Sequence, residues 1–176
     1  MAEKQRRNDS LAYVSPREQG QADAWTEEAQ QRGGQQLTEV AEVAPPPEVA
    51  AALSLEQGAK AAVRRRLILL DGEPIELADS YYPLEIARGT ALLETKKIKG
   101  GAPTLLAQLG YAPSHVTEDL ELREPIPLER AALSLPQGSS VLTLLRTTKT
   151  QDGIPYEVQL MVMKAPRRLH YEIEVD

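Results

Sequence analysis

Residues 51–58 return almost unchanged at 131–138. Ala51-Ala52-Leu53-Ser54-Leu55-Glu56-Gln57-Gly58 becomes Ala131-Ala132-Leu133-Ser134-Leu135-Pro136-Gln137-Gly138, and only Glu56 and Pro136 differ. The likeness runs on downstream. Arg66 and Arg146 stand at the same offset from Gly58 and Gly138, and Asp71-Gly72-Glu73-Pro74-Ile75-Glu76 answers Asp152-Gly153-Ile154-Pro155-Tyr156-Glu157 after one extra residue. Two copies are too few for a solenoid, which needs about three or more stacked units to bury a core. They suit a single domain of two similar halves, and a cleft between the halves is the expected place for a ligand.

Composition narrows the chemistry. The chain is 41% hydrophobic, enough for a core, but with no Phe and one Trp that core must be built from Leu, Val, Ile and Ala. The lack of Cys removes disulfides, thiolate catalysis and zinc–thiolate sites. The first residues are polar and charged, unlike a signal peptide, and no apolar run approaches the ~18 residues that span a bilayer. A cytoplasmic protein without membrane contact is expected. Net charge is −6, from 26 acids and 20 bases. Such a chain is a poor nucleic-acid binder by itself, because phosphate contacts call for clustered Lys and Arg.

Residues 1–22 are polar and without periodicity, and read as a linker or tail in which Leu11, Tyr13 and Val14 could pack locally. Residues 23–176 read as the folded unit. A short helix is expected over 23–32, stopped by Gly33-Gly34, followed by an alternating strand over 35–44. Pro45-Pro46-Pro47 breaks that strand and opens a helix carrying Val49, Ala52 and Leu53. Apolar runs at 61–70 and 74–82 flank Asp71-Gly72, and runs at 141–150 and 154–163 flank Asp152-Gly153. An Asp-Gly pair between such runs is a strong hairpin signal. Further expectations are a helical turn at 83–87, a helix at 104–109 stopped by Gly110, a strand at 116–123, a second short helix at 127–133 and a last strand at 169–175. The pattern is α+β: an antiparallel sheet with short helices between strands.

Strand periodicity sorts the side chains that could carry chemistry. Arg64, Arg66, Ile68 and Leu70 share one face of the first hairpin; Val63, Arg65, Leu67 and Leu69 share the other. An arginine among aliphatics needs an anion, because an unpaired buried charge is costly. It is either a structural ion pair or surface arginine, or a clamp for a carboxylate or phosphate. On the second hairpin Glu157, Gln159, Met161 and Met163 resemble a pocket wall, while Tyr156, Val158, Leu160 and Val162 resemble core. Ser80 and Tyr82 are candidate pocket residues, and Asp79 reads as an exposed strand position. His115 and His170, the sole histidines, have no second ligand at metal spacing, so no metal and no cofactor are expected. Neither a G-x-S-x-G elbow nor a P-loop occurs. Gly100-Gly101, ahead of the helix at Thr104, could offer helix N-terminal amides to an anion.

Taken in order, several elements resemble the UTRA domain, the effector-binding part of the HutC subfamily of GntR-type bacterial transcription regulators. They are the A-x-x-L helix before each glycine, the R-x-x-x-x-D-G-x-P hairpin, the step Ser80-Tyr81-Tyr82-Pro83 and the pair Leu109-Gly110. The resemblance runs from about Trp25 to Val175. It implies a fold similar to chorismate lyase, a homodimer, and a small-molecule effector that changes DNA affinity. Operator DNA would be bound by a winged helix-turn-helix for which this chain has no room before Trp25. Family members that hold sugar phosphates use an R-x-R pair on the first hairpin. Arg66 matches its first member and Ile68 stands at the second. Gly101 and Pro103 stand where such members often carry Ser and Tyr, and Ala78 lies near a family Glu. These departures disfavour a sugar phosphate and leave Arg66 and Glu157 as the leading ligand contacts, with Ile68, Ser80, Tyr82, Gly101, Thr104 and Gln159 around them. A charged pair of that kind suits a ligand with a carboxylate and a hydroxyl or amine. The resemblance to chorismate lyase leaves an enzyme as the alternative, with Arg66 clamping a carboxylate and Glu157 acting as acid near a leaving oxygen.

Overall fold

The computed structural model describes residues 10–18 and 21–170. Its elements run α1 (Ser10–Val14), α2 (Ala24–Glu28), β1 (Gly33–Val43), α3 (Pro47–Ala52), β2 (Ala61–Leu70), β3 (Glu73–Pro83), α4 (Leu84–Ala87), α5 (Gly101–Gln108), β4 (His115–Arg123), α6 (Pro127–Ala132), β5 (Val141–Lys149) and β6 (Pro155–Lys164). The strands form one six-stranded sheet in the order β1-β2-β3-β6-β5-β4. Every pairing is antiparallel.

The repeat is visible in backbone detail. Pro47 and Pro127 open α3 and α6, and Ser54 (φ 55°) and Ser134 (φ 51°) turn the chain out of them through the left-handed region. The amide of Leu55 then bonds back to the carbonyl of Ala50, and that of Leu135 to the carbonyl of Arg130, both at 2.9 Å. This closure satisfies carbonyls left over at a helix end. Each half is thus an edge strand, a short helix and a hairpin. The halves meet edge to edge where β3 pairs with β6, in the register Glu76↔Met163, Ser80↔Gln159 and Tyr81↔Val158. No cleft separates them, contrary to the sequence-based expectation, because the central strands hydrogen-bond into a continuous sheet.

The two Asp-Gly turns differ. Asp71 (φ 50°) and Gly72 (φ 82°) are both left-handed, as a two-residue type I′ turn requires. At the second turn only Gly153 is left-handed (φ 79°). The extra residue there lengthens the loop, which closes by Gly153 N–H to Thr150 O and Thr150 N–H to Ile154 O, both 3.0 Å.

Both faces of the sheet are covered, which is why arginines and aliphatics mix along β2. On one face α3 packs Val49 and Leu53 against Val63, Tyr81 and Val158, and Leu133 with Leu135 packs against Val141 and Val162. On the other, Trp25 and Ala29 cover Ile68, Ala78 and Met161, while Ile86, Leu92 and Leu106 cover Ala62 and Tyr82. Glycine at 33 is required by a close approach: a Cβ there would lie 2.4 Å from Ala29 Cβ. Residues 10–14, expected to belong to a tail, form α1. Val14 is 4% exposed, and Tyr13 hydrogen-bonds Glu28 through its hydroxyl. The strand expected at 169–175 falls mainly on residues outside those described; Leu169 and His170 are not in a strand. Among the described residues no helix is long and apolar enough to cross a membrane.

Candidate ligand-binding site

A hollow of about 360 Å³ lies on the Arg66 face of the sheet. Cross-strand register builds its floor: Leu37 is opposite Arg66, Arg66 opposite Ala78, Ser80 opposite Gln159 and Gln159 opposite Arg146. Residues directly opposite in a sheet point to the same side, so β1, β2, β3, β6 and β5 all contribute. Tyr13 and Arg17 from the chain around α1, Trp25 from α2, and the segment from Thr95 to Pro103 complete the walls.

Of the residues singled out from the sequence, Arg66, Ile68, Ser80, Tyr82, Gly101 and Gln159 line this hollow. Thr104 and Glu157 do not. The Thr104 hydroxyl donates to Gly100 O at 2.8 Å and accepts from the Arg17 amide at 2.9 Å, so it fastens the front of the chain to α5. Glu157 is 2% exposed and sealed behind its neighbours. It accepts the Tyr82 hydroxyl proton at 2.8 Å and an amide proton of Gln159 at 3.3 Å. Asp79 faces away and pairs with Arg65 at 3.2 Å.

The polar bonds of the floor fall into two sets. Arg66 donates to Ser80 Oγ at 2.7 Å, Tyr82 donates to Glu157, and Gln159, which donates to Glu157, accepts from Arg146 Nη1 at 3.0 Å. Arginine can only donate and a carboxylate only accept, so protons point from Arg146 through Gln159 toward Glu157, while the Arg66 bond ends on Ser80. Burial pushes the Glu157 carboxyl above its ordinary range, against the opposing pull of Tyr82, Arg66, Arg146 and Gln159. Burial and the neighbouring Glu157 raise the Tyr82 hydroxyl well above the usual value. Glu76, also on the wall, is raised by burial, while Arg167 at 3.4 Å acts the other way.

Most cations around the hollow are already engaged. Arg17 pairs with Glu27 at 2.5 Å, Lys97 with Asp23 at 2.8 Å and Arg146 with Glu118 at 2.7 Å. Arg64 spends its guanidinium on the carbonyls of Ala91, Leu92, Glu94 and Lys96, at 2.6–3.2 Å, and so holds the loop after α4. Arg66 differs. Among the described residues no carboxylate forms an ion pair with it, its hydrogen-bond acceptor is the Ser80 hydroxyl, and its Nε is buried without a partner.

Sequence reasoning missed Leu37, Trp25, Glu76 and the front segment as wall residues, and treated Arg146 only as an echo of Arg66. Period-two alternation in β1 carried a signal for Leu37. Leu11, Tyr13 and Val14 signalled local packing, but nothing in residues 10–18 marked them as a wall of this hollow.

An antiparallel sheet that holds a polar-floored hollow against short helices defines the class: a small α+β ligand-binding domain. Residues 28–167 match the UTRA domain, and the chain belongs to that family, the effector-binding regulatory domains of GntR-type regulators. It is 31% identical over 167 residues to an uncharacterised HTH-type transcriptional regulator of Streptomyces coelicolor, covering 93% of this chain and 60% of that protein. The chain thus spans about three-fifths of that relative's length. The effector domain of PhnF from Mycobacterium smegmatis superimposes with a TM-score of 0.72 at 19% identity, covering 92% of this chain and 99% of the other. The C-terminal domain of the histidine utilization repressor from Pseudomonas syringae pv. tomato does so with a TM-score of 0.68 at 16% identity, covering 82% and 100%.

Proposed function

We propose that this domain senses a small molecule held in the hollow and passes its presence to a DNA-binding head outside this chain, as a homodimer in the cytoplasm. Residues 23–176 are the sensing unit and residues 1–22 the segment leading into it. The observation that carries the reading is Arg66, a guanidinium in the hollow with one neutral acceptor and a buried, unpartnered Nε. Ionised groups in such surroundings are ordinarily matched, and a bound anion would match this one. The placement of Glu157 supports sensing over catalysis. A lyase acid would have to reach a leaving oxygen, whereas this carboxylate sits behind Tyr82 and Gln159.

A ligand shifts a regulator only through different affinities for its two states, and coupling of about 1–3 kcal/mol is typical. In a full-length regulator carrying this domain, a molecule found by titrating metabolite fractions should change operator affinity roughly 5–150-fold. Arg66→Ala should abolish both its binding and that change. A binder that leaves operator affinity unaltered, or that binds Arg66→Ala equally well, speaks against the reading.

A further inference from the structure

We infer that the molecule held in the hollow is a monocarboxylate with an apolar body, its carboxylate seated on Arg66. The inference rests on the sensing role proposed above and adds the ligand's chemical class. It comes from comparing equivalent positions of the internal repeat. Arg66 and Arg146 occupy matching places in β2 and β5. Opposite Arg146 the edge strand β4 presents Glu118, and the pair closes at 2.7 Å. Opposite Arg66 the edge strand β1 presents Leu37. The first half therefore keeps the guanidinium and lacks the internal carboxylate, and a carboxylate brought by a ligand fills the same role.

Charge and donor supply set the size of that anion. Arg17, Lys97, Arg146 and Arg167 each have an acidic partner, and Arg64 donates to four carbonyls. Among the described residues lining the hollow one guanidinium is left to grip, which suits a singly charged carboxylate bound side-on. A phosphate monoester carries close to two charges near neutral pH and more acceptor oxygens. The start of α5 adds little beyond the Ala102 amide. The Gly101 amide is spent on Ile98 O at 3.0 Å, and Pro103 has no N–H to give. Around Arg66 the wall offers the apolar side chains of Leu37, Ile68, Ala78, Met161 and Trp25 to a hydrocarbon or aryl body, with Gln35 and Glu76 flanking Ile68.

The test is calorimetric titration of this chain with octanoate and 3-phenylpropionate, their neutral amides, and octyl phosphate. At least one carboxylate should bind ten-fold or more tightly than its amide and than octyl phosphate. Arg66→Gln should weaken it at least ten-fold. So should Leu37→Glu, which rebuilds the second half's ion pair and keeps the cation; a native circular-dichroism spectrum and melting temperature for that variant separate a filled site from a lost fold. Tighter binding of octyl phosphate overturns the ligand class while leaving a sensing hollow at Arg66. Carboxylate binding unchanged in both variants overturns the seat. If neither carboxylate binds at millimolar concentration, the inference fails, and the metabolite titration then decides the sensing role separately.

Discussion

The two halves of the sheet share a backbone and divide the work. Both have a proline-opened helix, a left-handed serine, an edge strand and a hairpin carrying an arginine and a glutamate at matching places. In the second half these groups satisfy one another: Arg146, 1% exposed, is held by Glu118 and Gln159. In the first half the arginine faces Leu37, and the glutamate equivalent to Glu157, Glu76, lies opposite Met163 and reaches Arg167 only at 3.4 Å. Duplication copies a scaffold in which every charge can be answered. A binding site arises where one copy omits the answer.

The hardest blow to this contrast is Glu118→Leu, which gives the second half the first half's edge residue. It leaves the Arg146 guanidinium buried without its carboxylate, a change that typically costs about 3–5 kcal/mol. Urea unfolding should show a loss of that order; a loss under about 1 kcal/mol would mean that Arg146 is no more committed to structure than Arg66.

A second comparison uses pH. Burial raises the folded-state pKa of Glu157 above its ordinary value near 4.5, so in that window the folded chain holds a proton that the unfolded chain releases. Its contribution is fully present below pH 4.5 and is lost as pH rises through the raised value. The stability of the natural chain minus that of Glu157→Gln should therefore decline across this range. A difference that rises with pH would show that Tyr82, Gln159, Arg66 and Arg146 together outweigh burial. The smallest expected effect separates the turns. Gly72→Ala, with nothing within 4 Å of the added carbon, bears only backbone strain of about 1–2 kcal/mol. Asp152→Ala should cost less, because Asp152 is not among the left-handed residues. Equal melting temperatures for the two variants would put both turns in one class.

Much of this architecture was legible from local chemistry. Asp71-Gly72 demanded a tight turn, period two put Arg66 with Ile68 on one side of its strand and Glu157 with Gln159 on one side of another, and the repeat implied paired halves. The rest depends on relations across the chain. That Leu37 and not Thr38 stands opposite Arg66 follows from register beside the irregularity between Leu37 and Glu39, which alternation alone does not locate. Glu157 has the parity of a wall residue, yet Tyr82 grows over it from the neighbouring strand. The helix at Ser10–Val14 is little more than a single turn without a clear periodicity, and its place is set by partners far along the sequence, Glu118 for Ser10 and, just beyond the helix, Thr104 for the Arg17 amide.

That front helix gives the hollow an unusual wall. Ser10 donates to Glu118 at 3.0 Å, the Tyr13 ring lies beneath the Arg146 guanidinium with 5.8 Å to its centroid, and the amide of Arg17 is tethered to α5. A guest resting on the sheet therefore also leans on the stretch of polypeptide that leads into the domain. Any molecule that fills the space touches that stretch directly, through Tyr13 and Arg17.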